Sequence, residues 1–194
     1  MSQTAVHPQQ ARTVTTVDRG TLDVRALVLL AVLLAAGFIL NMTVGKALSG
    51  LTAGVLAPEF IIAAFCLEIL VVKPKVGQAL IIGLIAGAVI QITASVKLVD
   101  LVAEPIAAVV MALIVSATAK VSGTGAKVGV AVAASFVTTV LSGLTYACIV
   151  AFAIQSNPAL VAVMAPVVVG TGVANAIIVG ALYFPIKKAL KLND

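Results

Sequence analysis

Residues 59–95 read EFIIAAFCLEILVVKPKVGQALIIGLIAGAVIQITAS. Two apolar runs meet at Lys73-Pro74-Lys75, the only strongly polar point between them. A bilayer crossing needs roughly 20 mainly apolar residues, with a range of about 17–25. Val76–Ser95 meets that length and Glu59–Val72 approaches it, so the stretch predicts two spans joined by a basic turn. The same pattern extends outward in both directions. Upstream, Ala26–Met42 is a further run. Between it and Glu59, the segment Thr43–Ala57 carries Gly45, Gly50 and Gly54 and leads into Pro58. It is too broken for a regular span and reads as an outer loop or a re-entrant segment. Downstream, Leu98–Ala119 ends at Lys120 and the turn Ser122-Gly123-Thr124-Gly125. Lys127–Ile154 is long enough to tilt or to break near Gly143. The turn Gln155-Ser156-Asn157-Pro158 leads to Val161–Pro185, which is followed by Lys187, Lys188 and Lys191.

These runs predict an all-α membrane protein, a six-transmembrane-helix bundle over residues 24–192. Residues 1–23 read as a disordered cytoplasmic tail. It has no apolar core of the kind a signal peptide carries. Composition supports the class. Of 194 residues, 62% are hydrophobic and 10% charged, and mean hydropathy is +1.23. Soluble domains are nearer half apolar and about a quarter charged. A soluble core could not hide this much apolar surface, but a bilayer can.

The net charge of +5 does not point to nucleic acid, because the cations lie in short clusters between apolar runs. With the N-terminus inside, Arg12, Arg19, Arg25, Lys73, Lys75, Lys120, Lys127, Lys187, Lys188 and Lys191 all fall on the cytoplasmic side. Of the 12 Lys and Arg residues, only Lys46 and Lys97 fall outside. That split predicts an N-in, C-in orientation, and deleting a span would throw later clusters to the wrong side.

The acids depart from this order. Glu59, Glu68, Asp100 and Glu104 lie in or at the edges of spans. An ionisable group at a span centre costs roughly 2.5–3.5 kcal/mol on insertion scales, so it needs a partner or a purpose. Glu59, Asp100 and Glu104 map to the outer half of the bundle, as do Lys46 and Lys97. The spacing of Lys97, Asp100 and Glu104 predicts one shared helix face, with Pro105 just beyond it. Five charges on the outer side suit a small zwitterionic ligand. Its carboxylate would meet Lys46 or Lys97, and its ammonium Asp100, Glu104 or Glu59. The alternative for Lys97 and Asp100 is an interfacial position in water. Glu68, near the inner end of its span, would pair with Lys73 or Lys75 by snorkelling. Gln91 and Asn175 are candidates to line a polar cavity, or to make interhelical hydrogen bonds worth about 0.6 kcal/mol on average.

Small residues recur at helical spacing. Ala31 with Ala35, and Gly83 with Gly87, would let helix backbones approach closely. The first pair could present a smooth strip to another membrane subunit. No GxxxxGK[ST] loop, no GxGxxG after a strand and no metal-ligand cluster is present. The single histidine, His7, lies in the tail, and Cys66 and Cys148 lie inside apolar runs. The sequence therefore predicts no enzyme activity, no cofactor and no metal.

The pattern resembles the substrate-binding (S) subunits of energy-coupling-factor transporters, within them the tryptophan-transporter type. The likeness rests on Ala31-x-x-x-Ala35, on Pro58-Glu59-Phe60, on Gly83-Leu84-Ile85-Ala86-Gly87 with Thr93 and then Leu98-Val99-Asp100, and on the final span from Asn175 to Tyr183. It covers most of residues 26–187. The sequence departs from the family pattern at Lys97 and Leu101, and in a third loop shortened to Thr93-Ala94-Ser95. The resemblance implies a prokaryotic plasma-membrane protein with an outer substrate pocket capped by the first outer loop. It implies tryptophan or a related amino acid or vitamin-like compound as substrate. It also implies three partners: a transmembrane scaffold docked at Ala31 and Ala35, and two cytoplasmic ATPases. Phe60 and Tyr146 are the aromatic residues placed to stack on a ligand. A stand-alone secondary transporter and a non-transport assembly subunit are the alternative readings.

Overall fold

The computed structural model describes residues 22–52, 54 and 57–191, and among them every regular element is helical. The expected tail, with His7, Arg12 and Arg19, lies outside the described residues up to position 21. Its last two residues do not: the Asp23 side chain accepts a hydrogen bond from the Ala26 N–H at 2.8 Å and caps the first helix. Such caps contribute about 1 kcal/mol.

Helix α1 (Val24–Leu40) passes through a π-helical turn (Asn41–Gly45) into α2 (Lys46–Leu51). Together they form one rod of 28 residues. Then follow α3 (Phe60–Val72), α4 (Val76–Ile90), α5 (Asp100–Ala117), α6 (Thr124–Cys148) with a π-helical extension (Ile149–Ile154), and α7 (Ala159–Ala189). Among the described residues, four rods are long and apolar enough to cross a membrane: Val24–Leu51, Asp100–Ala117, Thr124–Ile154 and Ala159–Ala189. The α3 and α4 helices are apolar but shorter, at 13 and 15 residues.

One boundary differs from the sequence expectation, and one alternative left open there is decided. The segment from Thr43 is not a loop; the first helix continues to Leu51. Glycine disfavours a helix by about 1 kcal/mol. However, a backbone in apolar surroundings must satisfy its own hydrogen bonds, and a helix does so. The added π-helical turn keeps the ladder closed. In α6 there is no break at Gly143; the helix runs through it. That glycine serves packing instead, since a Cβ there would lie 2.9 Å from both methyl groups of Val168 in α7.

The α3 helix is the centre of the bundle. Every side chain from Ile61 to Leu70 is buried, and α1, α4, α5, α6 and α7 all pack against it. The α4 and α5 helices touch backbone to backbone. A Cβ at Gly83 would sit 2.6 Å from Pro105 Cα, and one at Gly87 would sit 2.6 Å from the Asp100 carbonyl oxygen. The expected Gly83/Gly87 pair is thus at a helix contact, while Ala31 and Ala35 are exposed on the outside of α1.

The surface is inverted relative to a water-soluble bundle. Val163 is 70% exposed and Ile177 65%, whereas Glu104 is 2% exposed and Glu68 and Asn175 are 0% exposed. Apolar side chains outside and polar ones within are compatible with lipid as the surrounding solvent.

Candidate functional site

A cavity of about 380 Å³ opens at one end of the bundle, near the lower limit of ordinary small-ligand pockets, about 300–1,000 Å³. Chain alternation collects its walls. They come from the end of the first rod (Asn41, Met42, Gly45, Lys46, Ser49), the approach to α3 (Ala57–Glu59), the segment after α4, the first turns of α5 (Asp100, Glu104), and facing stretches of α6 and α7. Met42, Gly45, Lys46 and Ser49 fall at i, i+3, i+4 and i+7, one face of the first rod.

Three carboxylates line the cavity, and each is held by a neutral donor. Asn41 Nδ2 donates to Glu59 Oε1 at 2.6 Å. Gln91 Nε2 donates to Asp100 Oδ2 at 3.2 Å. The Ser142 hydroxyl donates to Glu104 Oε1 at 2.7 Å. Glu104 lies deepest, and its Oε2 is buried without a hydrogen-bond partner. A buried acceptor left unpaired costs roughly 1–3 kcal/mol. Glu104 is therefore held at one oxygen and open at the other.

Several supports keep this geometry. Asn41 is bifunctional: its Oδ1 also accepts the Phe60 N–H at 3.1 Å, clamping the start of α3 to the first rod. Asn175 in α7 donates to the Glu59 backbone carbonyl at 3.0 Å and to the Thr139 hydroxyl at 3.3 Å. Thr171 donates to the Ala57 carbonyl at 2.8 Å. The short segment before α3 is thus tied to α1 on one side and α7 on the other.

Of the residues expected at the site, Lys46, Glu59, Asp100, Glu104 and Tyr146 line the cavity. Phe60, Gln91, Lys97 and Asn175 do not. Phe60 contributes its backbone N–H to Asn41. Gln91 positions Asp100, and its Oε1 also accepts the Leu98 N–H at 2.7 Å. Lys97 is not on the Asp100–Glu104 face. The α5 helix begins only at Asp100, and Leu98 turns the chain with a left-handed φ of 70°. The Lys97 ammonium instead donates to the Gln91 carbonyl at 2.7 Å and is exposed. Asn175 sits behind the wall as a strut.

Sequence reasoning missed Asn41, Ser49, Thr139 and Ser142. The α6 residues had a readable signal. Ser135, Thr138, Thr139 and Ser142 recur at i, i+3, i+4 and i+7 in an apolar span, and all four are buried. The expected pairing of Glu68 with Lys73 or Lys75 is not formed as a hydrogen bond. Glu68 is fully buried and neither carboxylate oxygen has a partner.

Among the described residues, no three His, Cys, Asp or Glu side chains converge closely enough to hold a metal ion. Comparison with family models, with curated proteins and with solved structures finds no match to this chain.

Proposed function

We propose that this chain is the substrate-capture subunit of an ATP-driven importer of the energy-coupling-factor type. In this reading it is a six-span bundle in a prokaryotic plasma membrane, with both ends in the cytoplasm and the cavity facing out. The observation that carries it is the cavity itself: a ligand-sized recess at one end of an apolar-surfaced bundle, lined by Glu59, Asp100, Glu104 and Lys46. Buried acids at such a depth mark a functional site in a membrane bundle. The short sequence motifs described above support the family assignment. The ligand is a small ammonium-bearing molecule, an amino acid such as tryptophan or a vitamin-like compound. Tyr146, Met42, Met164 and Val168 provide less polar wall. The scaffold subunit docks on the exposed strip of α1 at Ala31 and Ala35, and two cytoplasmic ATPases supply the energy.

The test is thermal-shift screening of the detergent-solubilised chain against amino acids and vitamins, followed by uptake in proteoliposomes. A ligand at 100 times its dissociation constant adds about 2.7 kcal/mol of stability. Capture predicts tight binding by the isolated chain and uptake only with scaffold, ATPases and ATP. The buried Glu104 is the observation that favours the second reading, a secondary transporter coupled through an intramembrane acid. Uptake by the chain alone under an ion gradient would establish that reading and overturn the first.

A further inference from the structure

The charges around the cavity do not balance for a zwitterion. Glu59, Asp100 and Glu104 line it, and Lys46 is the single cationic side chain among the described residues that do. The other cation expected there, Lys97, is engaged with the Gln91 carbonyl outside the cavity. A ligand with one ammonium and one carboxylate would satisfy Lys46 and one acid, leaving two carboxylates in a low-dielectric recess with only amide or hydroxyl donors. Carboxylates in such surroundings are stabilised most by a cation within about 4–6 Å.

A second observation is independent of the charge count. Glu104 is 2% exposed, lines the cavity, and has an Oε2 that accepts no hydrogen bond. The free oxygen of an ionised Glu104 is an acceptor, so the group it lacks is a donor. An ammonium supplies three N–H donors and no acceptor. A bare metal ion fits less well, since among the described residues no three carboxylates, thiols or imidazoles gather at one point. Three acids contributed by two wall segments, the approach to α3 and the first turns of α5, suit a ligand with more than one positive centre.

We infer that the cavity selects organic molecules bearing two ammonium groups, such as a linear diamine or a basic amino acid, with one ammonium seated on Glu104 and the other toward Glu59 and Asp100. The inference rests on the capture reading and narrows its ligand class.

The experiment compares matched pairs on the full chain in detergent, by titration calorimetry and thermal shift. The pairs are 1,5-diaminopentane against pentylamine, and lysine against norleucine. Sodium and potassium chloride serve as cation controls. The second ammonium is expected to tighten binding at least tenfold in each pair. Glu104→Gln is expected to remove most of that gain while the unliganded protein melts no lower than wild type. Asp100→Asn gives the same readout if the first variant does not fold, and increasing salt should weaken diamine binding more than monoamine binding. Norleucine or tryptophan binding as tightly as lysine would overturn the charge inference and leave capture standing. Equal stabilisation by sodium alone would overturn it in favour of a metal cation. No binding by any amine, amino acid or vitamin would overturn both.

Discussion

Replacing Gly83 by alanine should separate α4 from α5 and loosen the cavity without touching it. A Cβ at this position would meet three atoms: Pro105 Cα at 2.6 Å, the Glu104 carbonyl oxygen at 2.7 Å and Ala108 Cβ at 2.9 Å. Two of these are backbone, and no rotamer change can move them. Ordinary contact begins near 3.4 Å, so the helices must part by about 0.8 Å, in the range where overpacking costs roughly 1–3 kcal/mol. The upper half of that range applies, because Pro105 stiffens the opposing turn and Gly87 makes a second backbone contact with Asp100 one turn away. At roughly 2–4 °C per kcal/mol for a chain of this length, the melting temperature in detergent should fall by about 5–10 °C. Ligand affinity should fall with it, because Glu104 and Asp100 ride on the displaced helix. Gly77→Ala in the same helix is the control: nothing lies within 4 Å of that Cβ, and alanine should be neutral or add about 0.5 kcal/mol. Equal melting temperatures for the two variants would refute the close-contact account of α4 and α5.

Asn41→Ala should cost about 1–3 kcal/mol, because it strips both the Glu59 carboxylate and the Phe60 N–H of their partner; chemical unfolding in detergent measures it, and a loss under 0.5 kcal/mol would deny the clamp. Glu68→Met should raise stability by about 1–3 kcal/mol, since it removes a fully buried carboxyl whose oxygens have no partner while keeping the volume. A lower melting temperature would mean that the carboxyl is satisfied in the membrane. Lys46→Met should weaken a carboxylate-bearing ligand about tenfold, near 1.4 kcal/mol, and Lys97→Met should not, as read by calorimetry with lysine. The orientation is tested by impermeant maleimide on intact cells in a Cys148→Ser background, with Ser156→Cys labelled from outside and Ser122→Cys only after permeabilisation.

Much of the architecture was legible because a membrane helix is specified by composition over a long window. Every apolar run in the sequence corresponds to a helix. Boundaries were less legible where glycine misled. Gly45 and Gly50 read as breaks, yet each lies inside a helical stretch. In water glycine exposes backbone that solvent can satisfy, and in lipid no such competitor exists. The role of Asn41 was illegible for another reason. Asn41 acts on residues 18 and 19 positions away, and no local pattern encodes such a partner.

The same distinction separates the two outlying lysines. Lys46 and Lys97 carry the same sequence signal, a cation on the side that the other cations avoid. They differ in the structure because Lys46 lies on the face of the first rod that lines the recess, whereas Lys97 precedes the left-handed Leu98. The order of the helices along the chain decides which end of the bundle a residue occupies, and that order survives errors of several residues at each boundary. That is why Glu59, Asp100, Glu104 and Lys46 could be placed together from sequence. The direction of a side chain around its helix turns by about 100° per residue, so one unforeseen φ at position 98 is enough to move a charge off the site. Removing Lys97 from the recess is also what tips its charge toward the acids, so the proposed ligand class depends on a backbone conformation and not on the residue count.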